Sequence, residues 1–414
     1  MSWPQIKLES LASRERYSFV GGPFGSKLTS RDYVDHGVPV IRGSNLNNGR
    51  YLDMTDFVYV SDSKVREDLS SNLARPLDLV FTQRGTLGQV AIIPADGVSD
   101  RYVVSQSQMK LTVDDAKADR LFIYYYFSSR QAIERITNFT SSSGVPHINL
   151  TVLRNFEVPV PPLETQRRIA SILSEYDDLI ENNCRRIQLL EQAARLLYKE
   201  WFVHLRFPGH EHVKIKDGVP EGWEKKKISD ICESVGGGTP STKISEYWDG
   251  DITWVVPSDV TKNDCVILLD SERKITEKGL KESSAKMVPA ATILMTSRAS
   301  VGYFAMMDYE VCTNQGFINI IPHDANARMW LLFNLMSRVE EIRSNAKGTT
   351  YPEISKGRFR EMDVIAPSNS LIHEFNEPAS HIIQQVRNLK QSTMKLQQAR
   401  DILLPRLMNG EVVV

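Results

Sequence analysis

The stretch PVIRGSNL, which begins at Pro39, is repeated in altered form as TWVVPSDV, which begins at Thr253. Ser44 of the first copy stands opposite Ser258 of the second, so the two copies are 214 residues apart. Similarity between segments at a fixed spacing is the signature of a duplicated structural unit. The sequence therefore predicts that the chain consists of two related halves.

Two further pairs of motifs extend the repeat. FTQRGTLGQV and MTSRASVGYF place Arg84 opposite Arg298, again 214 residues apart. SSGVPHINL and GTTYPEISK place Pro146 opposite Pro352 at a spacing of 206 residues, so the second copy is a few residues shorter between these motifs. The two halves are joined head to tail.

Each half closes with a long helical pattern. Apolar residues recur every seven positions in two interleaved series, which is typical of the a and d positions of a coiled coil. The seam of the first helix contains Leu173, Tyr176, Ile180, Asn183, Ile187, Leu190 and Leu197. At the 206-residue spacing, the seam of the second helix contains Ile382, Val386, Leu389, Leu396 and Leu403. Two unrelated amphipathic helices on separate cores are the alternative.

The second helical pattern is less regular than the first. Its seam carries Thr393 and Arg400, which are weak residues for such positions. Pro378 indicates a kink or the start of the helix, and Pro405 together with Gly410 indicates that the helix ends near Leu404.

The segments before each helix have a mixed pattern. Short β-branched and aromatic runs such as DLVFTQRG, TWVVP and FINIIP alternate with turn residues, and each half has one helical stretch, at 119–137 and 326–344. We predict an α+β fold in which a mixed α/β domain and a long helix occur twice. The predicted parts are a first domain at 1–157, a central helical spacer at 158–209, a second domain at 210–363 and a distal helical spacer at 364–414.

Composition narrows the functional classes. The 414 residues carry 50 basic and 51 acidic side chains, so no global positive field indicates a nucleic-acid partner, and any DNA binding must use local charge. No uncharged apolar stretch approaches the ~20 residues of a membrane helix, and the first residues lack a signal-peptide pattern. We expect a soluble, cytoplasmic protein without a membrane partner. The 4 cysteines form no CxxC pair and are expected in the core.

Catalytic motifs are mostly missing. The chain has no phosphate-binding GxxxxGK loop and no base-gripping methyltransferase loop, since Pro161-Pro162 is followed by leucine. His210 and its neighbours lack a third ligand, so no metal site is predicted. Asp259, Glu272 and Lys274 do have the spacing of a metal-dependent nuclease, although the first half has asparagine at the position of Asp259.

The two halves share small polar residues and arginines at strand ends and in loops. Such residues suit contacts with phosphates and base edges, with arginine to guanine and asparagine or glutamine to adenine as the strongest pairings. A purely structural role in hairpins is the alternative. The DNA-binding candidates are Arg42, Ser44, Asn45, Gln83, Arg84, Ser142, Ser143 and His147 in the first half, and Thr239, Ser241, Lys243, Ser258, Ser297, Arg298, Thr349, Thr350 and Tyr351 in the second.

The arrangement resembles the DNA specificity subunits of type I restriction-modification systems. The motifs that carry the likeness are PVIRGSNL, QRGTLGQVAII, SSGVPHINLTVLRNFEVPVPPLETQRRIASIL and ILLPRLMNGEV, together with the two-copy layout. The second copy departs from the pattern, because it reads IAPSNSLIHEF where the first reads VPVPPLETQRRI.

The resemblance implies a non-catalytic subunit with two target recognition domains. Each domain would read one half of a split, asymmetric site in double-stranded DNA. The two long helices would pair as an antiparallel coiled coil, set the spacing and dock two methyltransferase (modification) subunits, with restriction/translocase subunits in the full complex. S-adenosylmethionine, ATP and Mg²⁺ would then bind to the partner subunits and no cofactor to this chain.

Two other interpretations remain. The chain could be a metal-dependent nuclease that uses Asp259, Glu272 and Lys274, or a coiled-coil adaptor without a role on DNA. The sequence does not give the target bases or the length of the gap between the half-sites, because side chains on loops of unknown placement do not define a base-pair code.

Overall fold

The computed structural model forms two compact units. Unit 1 contains Met1–Ile180 and Lys395–Val414, and unit 2 contains Glu181–Met394. Both long helices are therefore divided between the units, and each unit is considered separately below. The structure describes residues 3–46, 49–139, 146–348, 351–412 and 414.

The strands of unit 1 are β1 Gln5–Lys7, β2 Phe19–Gly21, β3 Tyr33–Val34, β4 Val38–Ile41, β5 Val58–Val60, β6 Leu73–Ala74, β7 Leu79–Thr82, β8 Val90–Ile92, β9 Tyr102–Val104, β10 Gln108–Leu111 and β11 Glu157–Pro159. The helices that begin in unit 1 are α1 Asp62–Lys64, α2 Arg120–Ser128, α3 Arg130–Asn138, α4 Leu150–Arg154 and α5 Leu163–Phe202. The first long helix, α5, has 40 residues, which span about 60 Å at a rise of about 1.5 Å per residue.

The strands of unit 2 are β12 Ile215–Lys216, β13 Val219–Pro220, β14 Glu224–Lys227, β15 Cys232–Gly236, β16 Trp248–Val255, β17 Lys274–Ile275, β18 Met287–Val288, β19 Ile293–Thr296, β20 Phe304–Ala305, β21 Val311–Thr313, β22 Phe317–Pro322 and β23 Asp363–Ala366. Its helices are α6 Ile228–Ile231, α7 Pro257–Thr261, α8 Glu277–Lys281, α9 Arg328–Ser337, α10 Val339–Ser344, α11 Lys356–Arg360 and α12 Asn369–Met408.

The central sheet has the same order of strands in both units. In unit 1 the order is β2-β10-β7-β8, and in unit 2 it is β15-β22-β19-β20, with antiparallel pairing throughout. A second sheet contains one parallel pair in each unit, β4 with β9 and β16 with β21. The repeated motifs follow equivalent strands, because β7 leads into Arg84 and β19 into Arg298. The predicted α+β fold with two related domains is confirmed.

Each unit has its own core, to which both long helices contribute. In unit 1, Leu173 of α5 and Leu407 of α12 pack with the central sheet and α2. In unit 2, Phe375 of α12 packs against Tyr198 and Phe202 of α5, with ring centroids 6.0 and 5.0 Å apart. Within each unit, opposite ends of the two helices therefore lie side by side, as they do in an antiparallel pair.

The short helical stretches differ from the prediction. The helical stretches predicted at 119–137 and 326–344 are present, but each is broken into two helices, α2 with α3 and α9 with α10. Ser129 has extended backbone angles, φ −72° and ψ 144°, and its hydroxyl accepts a hydrogen bond from the N–H of Ala132 at 3.3 Å. The serine thus caps a new helix, which apolar periodicity alone does not reveal.

The second long helix is longer at both ends than predicted. A start at Pro378 was wrong, because α12 begins at Asn369. The hydroxyl of Ser368 accepts a hydrogen bond from the N–H of Leu371 at 3.4 Å, and the side chains of Leu371 and Phe375 are buried. Capping and burial of the first turns therefore extend the helix before the proline.

The predicted end near Leu404 was also wrong, since α12 continues to Met408. Leu407 and Met408 are 0% and 2% exposed in the core of unit 1, and the carbonyl of Pro405 accepts a hydrogen bond from the N–H of Asn409 at 3.0 Å. Proline lacks a donor but keeps its acceptor, so the buried last turn can close around it.

All 4 cysteines are free thiols. Cys232, Cys265 and Cys312 are buried as expected, whereas Cys184 on α5 is only half-buried. Burial raises the pKa of Cys232 and Cys265 to about 12 and that of Cys312 to about 11. These thiols therefore stay protonated and unreactive near neutral pH. Among the described residues, no helix is both long and apolar enough to cross a membrane.

Candidate DNA interface

Four loops meet at one end of the central sheet of unit 1. The carbonyl of Ser107 accepts hydrogen bonds from the N–H groups of Gln83 at 2.7 Å and Arg84 at 3.3 Å. The carbonyl of Pro146 accepts a hydrogen bond from the N–H of Gly85 at 3.2 Å. We call this group the unit 1 loop cluster, which consists of residues 21–28, 83–88, 105–107 and 146–148.

The first of these loops is held on both sides. The N–H of Gly22 donates to the carbonyl of Gln108 at 2.9 Å, and the side-chain amide of Gln106 donates to the carbonyl of Gly25 at 2.5 Å. A Cβ atom at Gly22 would lie 1.9 Å from the carbonyl oxygen of Ser105, so only glycine allows this close approach.

The exposed side chains of the unit 1 loop cluster include Arg84 and His147, which face each other across an isolated β-bridge. Gln83 is half-buried beside them, and Ser44 is exposed on the 3₁₀ turn Gly43–Asn45. The structure thus brings Gln83, Arg84 and His147 together. Ser142 and Ser143 lie outside the described residues.

Two other candidates in unit 1 make internal contacts instead. Asn45 is 1% exposed, and its amide accepts from the N–H of Arg42 at 2.9 Å and donates to the carbonyls of Asp53 and Thr55 at 3.2 and 3.0 Å. Arg42 donates to the carbonyl of Asp56 at 2.9 Å. Asn45 therefore holds the turn that carries Ser44, and its amide has no group left to read a base.

Unit 2 contains the equivalent cluster. The N–H of Ser297 donates to the carbonyl of Gly316 at 2.8 Å, and the carbonyl of Ser297 accepts from the N–H of Ile354 at 3.0 Å. The hydroxyl of Thr239 is hydrogen-bonded to the side chain of Gln315. We call this group the unit 2 loop cluster, which consists of residues 236–243, 297–302, 313–316 and 351–354.

The side chains of the unit 2 loop cluster differ from those of unit 1. Arg298 is half-exposed, and its Nε lies 3.7 Å from Oε2 of Glu353, the residue that replaces His147. Tyr351 is 61% exposed, whereas Ser297 is only 3% exposed. The other candidates comprise the exposed Ser241, Lys243 and Ser258 and the residues Thr349 and Thr350, which lie outside the described part of the chain.

An arginine that the sequence did not single out extends this surface. The guanidinium carbon of the exposed Arg273 lies 3.7 Å from the ring centroid of Trp248 and 5.5 Å from that of Trp254. The indole N–H of Trp248 donates to the carbonyl of Ser241, a residue of the unit 2 loop cluster, at 3.1 Å. Two tryptophans six residues apart lie on one face of a strand, but only the pairing of β16 with β17 brings the arginine over them.

The residues of the nuclease alternative have structural partners. Asp259 accepts hydrogen bonds from the N–H of Val256 at 2.9 Å and, through its other oxygen, from the N–H of Glu272 at 3.4 Å. Lys274 forms an ion pair with Asp270 at 3.4 Å. Asp259 therefore caps the first turn of α7, a role that explains the acidic residue at this position.

The long helices carry a polar contact that the seam pattern did not predict. In unit 1, Asp177 of α5 forms an ion pair with Arg400 of α12 at 2.6 Å and accepts a hydrogen bond from the hydroxyl of Tyr125 at 2.7 Å. Burial and the neighbouring carboxylate raise the pKa of Tyr125, so the phenol remains a donor. The predicted seam residues are all buried or half-buried.

The comparisons with known proteins agree with this arrangement. The family model for the type I restriction modification DNA specificity domain matches the chain twice, at residues 25–192 and 220–397. The chain therefore belongs to the family of type I restriction-modification DNA specificity subunits. This membership confirms the prediction of a non-catalytic subunit.

Three relatives show how far the similarity extends. The type I restriction enzyme MjaIX specificity subunit of Methanocaldococcus jannaschii is 43% identical over 152 residues, which cover 36% of this chain and only 35% of the relative. The type I restriction enzyme HindI specificity subunit of Haemophilus influenzae is 25% identical over 435 aligned positions, which cover 89% of this chain and 94% of the relative. The crystal structure of a type I restriction-modification system S subunit from M. genitalium has the same fold, with a TM-score of 0.60, 16% identity and coverage of 98% and 96%.

Proposed function

We propose that this chain is the sequence-reading subunit of a type I restriction-modification complex and that each loop cluster reads one half of a split, asymmetric site in double-stranded DNA. The supporting observation is that one loop geometry occurs twice with different exposed side chains. Arg84 and Arg298 occupy equivalent places, but the first faces His147 and the second faces Glu353. A repeated scaffold with different contacts suits two unlike half-sites.

The chemistry of these side chains fits base edges. Arginine binds the two acceptors of guanine in the major groove, and glutamate accepts a hydrogen bond from the amino group of cytosine. Arg298 and Glu353 lie next to each other and could therefore contact neighbouring groups. Arg84 has no carboxylate beside it among the described residues, so it offers a full positive charge.

Local cations supply the attraction that the net charge of −1 does not provide. In unit 1, the exposed Lys27 and Arg31 form no ion pair with any described residue, and in unit 2 the same holds for the exposed Lys243 and Lys356. Unpaired basic side chains around reading loops are suited to phosphate contacts, which position a protein on the duplex without selecting its sequence.

The long helices are proposed to dock two modification subunits. Each unit has a cleft between a long helix and the short helix that follows the sheet. In unit 1 this cleft has a volume of about 300 Å³ and is lined by residues that include Tyr125 of α2 and Leu404 of α12. In unit 2 it has a volume of about 240 Å³ and is lined by residues that include Arg195 of α5 and Val339 of α10.

The two clefts are equivalent places of the repeat, because Ile133 and Asp401 of the first correspond to Val339 and Arg195 of the second at the 206-residue spacing. An exposed apolar side chain directly follows Arg195 and Asp401, Leu196 at 53% and Ile402 at 59% exposure, and these two are also 206 residues apart. Exposed apolar side chains beside a cleft are typical of protein contacts. Two equal sites support the proposal of two copies of one partner.

Catalysis is assigned to the partners. In this proposal the modification subunits bind S-adenosylmethionine and transfer the methyl group, while restriction subunits bind ATP and Mg²⁺. This chain would select the DNA in the cytoplasm and bring the partners to it.

Alanine substitution of the two equivalent arginines tests the proposal. Arg84→Ala and Arg298→Ala should each relax the methylated sequence in one half-site and weaken binding to that half by about 1–3 kcal/mol, because each removes one base contact. The measurement is duplex binding and methylated-site sequencing with the chain co-expressed with its modification subunits.

The matched control is Arg130→Ala, since Arg130 is 93% exposed on α3 and paired with Glu134. An equal loss of affinity for all sequences, together with a salt slope (the slope of log affinity against log salt concentration) lower by about one, would show that the arginines contact phosphates instead of bases. Absence of sequence-specific binding by the unaltered complex would contradict the proposed function.

A further inference from the structure

Phe24 presents an aromatic ring to solvent from the unit 1 loop cluster. Its side chain is 82% exposed, which is more than any other large apolar side chain in the described part of the chain. Such exposure adds almost nothing to folding, because an apolar group stabilises a protein in proportion to the area it removes from water. Single exposed apolar residues are common, so the surroundings of the ring decide what it means.

The loop that carries Phe24 is rigidly attached. Gly22 and Gly25 on either side of it are hydrogen-bonded to Gln108 and to the side chain of Gln106, and Leu28 is 6% exposed in the core. Gly25 has a positive φ of 63°, which turns the chain directly after the ring. The ring is therefore held in solvent by a fixed backbone.

The ring also lies among groups suited to DNA. Residues 105–107 hold the Phe24 loop on one side, and on the other the carbonyl of Ser107 accepts the hydrogen bonds from Gln83 and Arg84. Lys27 follows Phe24 in the same loop and has no ion-pair partner among the described residues. An aromatic group thus stands beside exposed cations on the proposed reading surface.

Unit 2 lacks this feature. Gly237 approaches the backbone of Thr313 in the same way as Gly22 approaches the backbone of Ser105. Phe24 stands two residues after Gly22, and Thr239 stands two residues after Gly237. Gln315 bonds to the unit 2 loop as Gln106 bonds to the unit 1 loop. The loops are built alike, but only unit 1 carries an aromatic ring at this point.

We propose that Phe24 is a wedge that stacks on a base step of the half-site bound by unit 1. Apolar side chains inserted between bases unstack and kink the duplex, and steps of a pyrimidine followed by a purine yield most easily. The proposal rests on the proposed function. It adds that the half-site bound by unit 1 is recognised also by how easily its DNA is deformed. It also predicts that the two half-sites are distorted unequally.

The test uses the full chain co-purified with its modification subunits, together with a DNA duplex that contains the sequence this complex methylates. 2-Aminopurine, which becomes brighter when it is unstacked, replaces adenine at successive positions of each half-site. The unaltered complex should brighten the probe at one step of the first half-site. Phe24→Ala should abolish this signal and weaken binding about 5- to 150-fold, the range known for loss of one base–aromatic stack.

Three matched variants separate stacking from other effects. Phe24→Tyr should keep the signal, because its ring can still stack. Thr239→Ala at the equivalent place of unit 2 should leave the first half-site unchanged. Lys27→Ala should keep the signal and lower the salt slope of binding by about one, as loss of a phosphate contact does.

Site-specific binding by Phe24→Ala with unchanged affinity and probe signal would overturn the wedge and leave the proposed function intact. Normal DNA binding with failure to assemble with the modification subunits would assign Phe24 to a protein contact and also overturn it. If the unaltered complex showed no site-specific binding, the proposed function itself would fail.

Discussion

Arg84 and Arg298 show how one backbone geometry can carry two different sets of exposed side chains. Both follow a strand of the central sheet, and both lie beside a loop that the hairpin contacts through backbone hydrogen bonds. The difference lies in single side chains, since His147 faces one arginine and Glu353 the other. Substitutions at such exposed positions leave the hydrogen bonds that hold the loops unchanged, so under the proposed function they would alter only the contacts with DNA.

Glu191 provides a test of the packing of α5 against the rest of unit 2. It is 8% exposed, and its carboxylate accepts a hydrogen bond from the N–H of Val266 at 2.5 Å. Burial raises the pKa of Glu191 above the ordinary value of 4.5. A carboxyl whose pKa is higher in the folded than in the unfolded chain takes up protons on folding. The contribution of Glu191 to the free energy of unfolding therefore falls as the pH rises from about 4.5 through its pKa in the folded chain.

Glu191→Gln should keep the acceptor for Val266 and remove the buried charge. We expect the variant to be more stable than the unaltered chain by about 1 kcal/mol at pH 8 and equal to it near pH 4, as measured by urea unfolding at a series of pH values. Glu175→Gln, at an exposed position of the same helix, is the control and should not alter the pH dependence. If the free energy of unfolding changed with pH in the same way for Glu191→Gln and for the unaltered chain, this account would be contradicted.

At the scale of the elements, the contact of Asp177 with Arg400 and Tyr125 distinguishes the two units. At the 206-residue spacing, Asp177 corresponds to Ile383 and Arg400 to Ala194, so the equivalent contact in unit 2 is apolar. Removing one member of a buried ion pair leaves the other without its partner, which costs more than replacing the whole group by apolar residues.

Asp177→Ala should therefore lower the free energy of unfolding by about 1–3 kcal/mol, less than for a fully buried pair because Arg400 is 27% exposed. The triple variant Tyr125→Phe, Asp177→Ile and Arg400→Ala, which makes the contact apolar as it is in unit 2, should recover most of the loss. Urea unfolding of the full chain measures both. A triple variant less stable than the single one would show that the polar contact is required in unit 1.

The long helices could be predicted well from the sequence, because seven-residue periodicity is a local pattern. The positions of their ends could not, since burial of Leu371 and Leu407 outweighs the signals of Pro378 and Pro405. The break at Ser129 was missed because a hydroxyl cap competes with an otherwise continuous helical pattern. Local signals thus gave the elements, and tertiary contacts decided their limits.

The candidate site was predictable only in part for a similar reason. The repeat placed Arg84 and Arg298 at equivalent loops, and the structure brings Arg84 next to His147. The internal role of Asn45 depends on carbonyls 8 and 10 residues further along the chain, and the stacking of Arg273 on Trp248 joins residues 25 positions apart. No spacing along the chain contains that information.

For the whole molecule, the duplicated fold has one main consequence. Two units with the same central sheet and equivalent loop clusters can change their contacts independently, because each has a core of its own. The predicted domain bounds of 1–157 and 210–363 remain predictions and define the segments to exchange.

The most direct test of the central claim is the methylated sequence produced by a chimera. Residues 1–157 would be replaced by the corresponding segment of a relative with a different target, and the chimera co-expressed with the modification subunits. Sequencing of methylated bases in the host DNA should show one new half-site and one unchanged half-site. A folded, assembled chimera that changed both halves, or neither, would contradict the account of one recognition domain for each half-site.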